Sequence, residues 1–166
     1  MGGVTEPVLD LRPPANLVCR RAVLFWTTRA ALGWVLPLVS ELLWLVFGGG
    51  TAPVVVLVVT AVLAVAHLVV MPQWRYRVHR WETTDQVVYT QSGWFNQERR
   101  IAPVSRIQTV DTERGPLERL FGLANLTVTT ASARGPVHIH GLDHDTAQRL
   151  AAELATRTQA TVGDAT

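Results

Sequence analysis

The strongest constraint on this chain is a pair of apolar stretches placed back to back between residues 30 and 71. The second, residues 52–71 (APVVVLVVTAVLAVAHLVVM), runs for twenty residues without an Asp, Glu, Lys or Arg. At ~1.5 Å of rise per residue, a helix of that length reaches ~30 Å, the thickness of a bilayer's hydrocarbon core. The first, residues 31–47 (ALGWVLPLVSELLWLVF), is nearly as apolar and is broken only by Ser40 and Glu41. Between them Gly48-Gly49-Gly50-Thr51 is long enough only for a tight turn. The pattern predicts an antiparallel transmembrane hairpin, with spans at about residues 30–47 and 52–71 and both chain ends on one side.

Arginine placement orients this hairpin. Arg20, Arg21 and Arg29 precede the first span, Arg75, Arg77 and Arg80 follow the second, and the turn carries none. The positive-inside rule then predicts a multi-pass protein of the cell (inner or cytoplasmic) membrane, with both termini and the whole soluble part in the cytoplasm. A cleaved signal peptide is not expected, because the apolar stretch starts late and a second follows at once. The net charge of +2 gives no polyanion-binding signature, so nucleic acid is not an expected partner. Beyond residue 73, eleven Arg stand against ten Asp and Glu, and that region is close to neutral. The one cysteine, Cys19, rules out an internal disulfide and fits a reducing compartment.

Three polar side chains sit inside the predicted spans. Glu41 lies seven residues before the turn, ~10 Å below the outer surface, and Thr60 lies level with it on the other arm. His67 is ~21 Å down, so it is poorly placed to pair with Glu41. An intramembrane carboxyl is a functional candidate by default. The competing reading, which the sequence favours, is a protonated or hydrogen-bonded Glu41 that holds helices or protomers together. One carboxyl and one distant His make a poor proton or ion path. Pro37 removes a backbone bond to Gly33, which predicts a kink.

The flanks are read as follows. Residues 1–15 form a disordered tail. Residues 16–29 (NLVCRRAVLFWTTR) form either an amphipathic helix lying in the headgroup layer or the early start of the first span near Ala22, with Arg29 snorkelling. Residues 72–158 make one small domain, and residues 159–166 a second disordered tail. Within the domain, residues 74–82 (WRYRVHRWE) alternate like a strand, with Trp74 as an interfacial anchor and an Arg75, Arg77 stripe. Further strands are expected at residues 86–91, 94–103 (with adjacent Arg99 and Arg100), 105–112, 125–130 and around Val137 and Ile139. Ile107 and Val110 have opposite parity, which predicts a bulge there or a strand buried on both faces. Gly122 should end a single helical turn begun near Leu117. Ala147, Leu150, Ala151 and Leu154 form the apolar stripe of a last helix, capped by Asp143 or Asp145 with Gln148 in capping-box position. The expected class is a membrane α-helical hairpin plus an α+β/all-β domain: a small antiparallel barrel or sandwich closed by a C-terminal helix.

The residues themselves then bring a family into view. RIQTVDTERGPLERLFGLANLTVTTA (residues 106–131) resembles the signature of the bacterial pleckstrin-homology-like domain of the membrane-flanked type, and the likeness continues through a YRV-type first strand, a GWF-type hairpin with paired Arg, and the IHGL segment. The two-span layout is also that family's. The resemblance implies a pleckstrin-homology-like barrel plugged by its helix, no enzymatic activity, and a companion membrane protein of the same family; no cofactor is expected, and the Glu41 reading adds a second copy as the other expected partner.

One constellation resembles a metal motif. His138, His140, Asp143 and His144 (HIHGLDHD) approach the H-x-H-x-D-H pattern of metallo-hydrolases, and imidazoles two apart on a strand share a face. One residue too many precedes Asp143, and no remote ligand set is evident, so no metal site is expected at His138, His140 or His144. Two functional readings remain: a membrane-anchored interaction module that binds a protein partner, or an anionic-lipid sensor using Arg75, Arg77, Arg99 and Arg100 against membrane lipids. Pleckstrin-homology domains that hold inositol phosphates use lysine in a basic cluster, and this chain has no lysine. That favours the interaction module.

Overall fold

The computed structural model describes residues 12–94, 96–132 and 135–163. It opens with two antiparallel helices, α1 (Arg21–Gly48) and α2 (Ala52–Val78), both long and apolar enough to cross a membrane. Gly49 (φ 62°) and Gly50 (φ 85°) reverse the chain between them in the left-handed region, which a Cβ would disfavour. Pro53 follows in the first turn of α2, where its missing N–H has no helical partner to lose. Most of the large apolar side chains along both helices face outward: Leu36 and Phe47 on α1 and Val62 and Val65 on α2 are all more than half exposed. That is the arrangement a lipid solvent requires.

Two expectations at the hairpin's root are corrected. Residues 74–78 are not a strand, because α2 continues through them to Val78 and carries Arg75 and Arg77 on helix. Extending an existing helix adds one bond for each residue fixed, whereas a strand must find a partner, and the period-2 alternation over so few residues is too weak to reverse that balance. The helix stops at His79, whose backbone N–H donates to the Arg75 carbonyl at 2.9 Å. Secondly, residues 16–29 do not form a separate amphipathic helix. α1 starts at Arg21, close to the alternative start at Ala22, and its Phe25 and Trp26 are buried against the domain.

Residues 12–17 also belong to the fold rather than to a tail. Pro14 is fully buried, and Glu82 accepts from Arg12 (2.6 Å) and from the Ala15 N–H (3.0 Å). The rest of the tail expected up to residue 15, residues 1–11, lies outside the described residues. β1 (Asn16–Leu17) pairs antiparallel with β2 (Arg80–Thr83), followed by β3 (Val87–Gly93) and β4 (Gln97–Pro103) in one four-stranded sheet. β5 (Ile107–Glu113), β6 (Leu123–Thr130) and β7 (Val137–Asp143) form a second, three-stranded sheet. The register slips between Ile107 and Thr109, at the place where opposite parity predicted a bulge. α3 (Pro116–Leu120) is one short turn that ends at Gly122.

The two sheets enclose Val88, Ala102, Ile107, Leu126, Val128, Val137 and Ile139, and α4 (His144–Gly163) closes the stack with Ala147, Leu150 and Leu154. Asp143 Oδ1 accepts the Asp145 N–H at 3.2 Å, so Asp143 is the cap and Gln148 is not in capping-box position. The helix runs to Gly163, past the tail boundary expected at residue 159. Two apolar helices, antiparallel sheets and a closing helix make up a pleckstrin-homology-like architecture on a membrane hairpin.

Candidate functional site

The hairpin seam carries two polar pairs. Thr60 Oγ1 donates to Glu41 Oε1 at 2.8 Å, the pairing that equal depth predicts, while Glu41 Oε2 is buried without a partner. Deeper toward the domain, the Trp34 indole N–H donates to His67 Nδ1 at 2.9 Å. His67 is thus engaged one level away from Glu41, and the two do not meet. Nearer still to the domain, the Arg75 guanidinium lies 4.7 Å from the centroid of the Trp26 ring. The residue numbers of these three facing pairs each add to 101. A constant sum is the register rule of an antiparallel pair, so each contact fixes the level of the others.

The junction between hairpin and domain is built around Trp26. Its ring is bounded by Arg75 and by His79, the latter with ring centroids 5.0 Å apart, and it joins a second small core of Val18, Ala22, Phe25 and Leu123. Phe121 meets Phe25 edge-on at 6.2 Å. Gly141 brings the other wall close. Its φ of 76° turns the β7 backbone so that its N–H donates to Asn125 Oδ1 (3.1 Å) and its carbonyl accepts the Cys19 N–H (2.9 Å). A Cβ built at Gly141 would lie 3.0 Å from the Ala22 Cβ and 3.6 Å from the Trp26 ring. The IHGL segment is thus where the barrel grips the membrane hairpin. At the other side of α2, the Trp74 indole donates to the Trp94 carbonyl at 3.0 Å, propping the β3–β4 turn against the helix.

Two histidines at this junction have lowered pKa values. His79 Nδ1 lies 2.8 Å from the Arg75 carbonyl and its Nε2 faces Arg75 Nε at 3.4 Å. The first contact requires Nδ1–H, and the second turns a lone pair toward a cation. Burial, then the Arg75 charge, lower its pKa to about 4, against the backbone hydrogen bond, which acts in the opposite direction. The His140 pKa is also lowered, first by desolvation and then by His138 and Arg75.

The sequence candidates separate into distinct places. Arg75 lines the junction clefts together with Arg29, while Arg77 is exposed on the last turn of α2. Arg99 and Arg100 lie on β4 and line a different cleft of about 260 Å³ with Arg106, Thr130 and Ser132. Arg100 also bonds Glu98 (2.6 Å) and the Pro136 carbonyl (2.9 Å), tying β4 to the approach to β7. The single basic face expected from the sequence is therefore two separate places, since the lining of one cleft shares no residue with the others. His138 and His140 stack at 5.6 Å with Thr127 hydrogen-bonded to His138, and among the described residues no three His, Cys, Asp or Glu gather as a metal site. Sequence reasoning missed His79, Gly141 and the meeting of Arg29 and Arg75 in the same clefts. Extending the Glu41–Thr60 register toward the domain would have placed Trp26 at Arg75, one turn from Arg29.

Residues 29–158 match the Bacterial PH domain family. The chain is 34% identical over 96 residues to the UPF0699 transmembrane protein YdbS of Bacillus subtilis (strain 168). That stretch covers 57% of this chain and 58% of the relative, so the chain matches little more than half of that protein's length. No solved structure matches. Two candidate spans and a transmembrane relative support a membrane location. With the family match running from the root of the first span to the apolar stripe of α4, this chain belongs to the bacterial PH domain family.

Proposed function

We propose that this chain is a membrane-anchored interaction module of the bacterial cell membrane. Its hairpin anchors it, and it assembles with a second copy or with a companion membrane protein of the same family. The observation that carries this reading is Glu41. Two helices give its carboxyl one partner, Thr60, and leave Oε2 shielded from water without another. A carboxyl in hydrocarbon costs on the order of 2.5–3.5 kcal/mol on insertion scales unless it is neutral or bonded. The side chain is only half-buried at the seam's edge, so a donor or acceptor on a neighbouring helix can reach it after a rotamer change. The domain is packed onto the hairpin root through Trp26 and Phe25, which would transmit assembly in the membrane to the soluble face.

In this reading the domain and both ends of the hairpin are cytoplasmic, because Arg20, Arg21, Arg29, Arg75, Arg77 and Arg80 cluster at that end and the turn has none. No catalysis and no cofactor are assigned. Crosslinking or native mass spectrometry of Glu41→Gln and Glu41→Leu in one detergent tests the assembly. Glu41→Gln keeps a donor and an acceptor and should preserve it. Glu41→Leu should weaken it by about 0.6–2 kcal/mol, the range for interhelical hydrogen bonds in membranes. An unchanged oligomer in Glu41→Leu would refute the role. A cysteine at Gly49 should label from outside intact cells, and labelling only after lysis would reverse the orientation.

A further inference from the structure

We propose that the cleft between Arg29 and Arg75 holds the phosphodiester of an anionic phospholipid. The site is independent of the assembly reading, because it lies at the other end of the hairpin from Glu41 and needs no second chain.

Arg29 on α1 and Arg75 on α2 both line two adjoining clefts. One, of about 360 Å³, runs up the hairpin between Trp26, Ala30, His67 and Met71. The other, of about 300 Å³, enters the domain between Phe25, Trp26, Glu118, Asn125, His140 and Gly141. Arg29 and Arg75 therefore line both clefts, at the root of the hairpin where its apolar length meets the domain. Among the described residues neither arginine makes an ion pair, whereas Arg12, Arg21, Arg100 and Arg157 each do. Two like charges lining the same clefts at the root of an apolar hairpin, close enough for Arg29 to lower the Arg75 pKa, favour an anion there.

The geometry selects the kind of anion. Arg75 is already oriented, with its plane beside Trp26 and its Nε toward His79, so its terminal N–H groups are pre-set for the fork geometry that phosphate oxygens accept. Ala30 and Met71 on the hairpin side offer a wall for an acyl chain, which free phosphate could not use. On the domain side the Glu118 carboxylate, which accepts from Asn125 Nδ2 at 3.4 Å, disfavours further negative charge and can accept a hydroxyl donor. That combination fits a single phosphodiester with a hydroxyl-bearing headgroup such as glycerol, and it disfavours polyphosphorylated headgroups.

The test is native mass spectrometry of the full chain in mild detergent, titrated with phosphatidylglycerol, phosphatidylcholine or inorganic phosphate. The expected result is preferential retention of one phosphatidylglycerol, weakened about fivefold by Arg29→Gln and about 25-fold by Arg29→Gln with Arg75→Gln. Arg149→Gln, exposed on α4, should leave binding unchanged. Arg29 is itself exposed, so Arg29→Gln alone keeps the proposal falsifiable should Arg75→Gln unfold the junction. Equal lipid retention by wild type and Arg29→Gln would overturn the site. Displacement of the lipid by millimolar inorganic phosphate would overturn the lipid as its source.

Discussion

Replacing Gly141 with alanine should loosen the domain from its hairpin, and the structure gives the size of the effect in two parts. The first part is backbone strain: Gly141 has φ 76°, where an L-residue costs ~1–2 kcal/mol. The second is overpacking, since the new Cβ would meet the Ala22 Cβ at 3.0 Å and the Trp26 ring at 3.6 Å, in a site where inserted methyls cost ~1–3 kcal/mol. The sum is about 2–5 kcal/mol. Gly135 separates the two parts, because it has φ 77° but, among the described residues, nothing within 4 Å of its added Cβ. Gly135→Ala should therefore show the strain alone, ~1–2 kcal/mol. Ala22→Gly, which removes the clashing Cβ, should recover part of the Gly141→Ala loss although it is unfavourable by itself. The assay is denaturant unfolding of the four variants in one detergent, followed by tryptophan fluorescence, with the double mutant closing a cycle. Equal losses at Gly141 and Gly135, or no coupling with Ala22, would refute the idea that the close approach of β7 to α1 holds the junction.

Three further outcomes follow from the same structure. His79 has a native pKa of about 4 against 6.5 unfolded, so the unfolded chain takes up the proton first. Stability from this group is complete above pH ~6.5, falls as the pH drops toward 4, and the loss is at most about 3–4 kcal/mol. Arg75 and His140 face it with the same sign of effect, and His140 titrates in the same direction. Unfolding curves of His79→Phe should lack much of the wild-type slope between pH 6.5 and 4, and an identical slope would remove His79 as the cause. His67→Leu should leave the Trp34 indole N–H unbonded inside the seam and destabilise the hairpin by ~0.6–2 kcal/mol in thermal melts, with Trp34→Phe cancelling most of the added loss. Purified protein should carry no stoichiometric zinc by elemental analysis, and His138→Ala with His140→Ala should leave the melting temperature nearly unchanged. One metal per chain, lost in that double variant, would restore the metal reading.

Much of this protein is determined by short-range pattern alone. Twenty uncharged apolar residues, a Gly-rich link and a second apolar run leave no solution but a helical hairpin, because a backbone in lipid must bond to itself. The bulge at Ile107, the turn at Gly122, the inward Leu126 and Val128 and the stripe of α4 were legible for the same reason: each depends on local periodicity or on one residue's backbone freedom. The Glu41–Thr60 pair was legible because helical rise converts residue number into depth. The remainder depended on partners distant in sequence. Whether residues 74–78 continue a helix or begin a strand turns on what lies beside them, and period alone cannot distinguish a short alternating run from the last turn of α2. Phe25 and Trp26 look like headgroup anchors until the β7 backbone, over a hundred residues later, is turned by Gly141 to meet them. Arg75 and Arg99 look like one basic face because both lie near aromatic residues in the same region of sequence. Only packing decides that one joins Arg29 at the hairpin root and the other lines a separate cleft with Arg106, because charge is read along the chain but cancelled or concentrated in space.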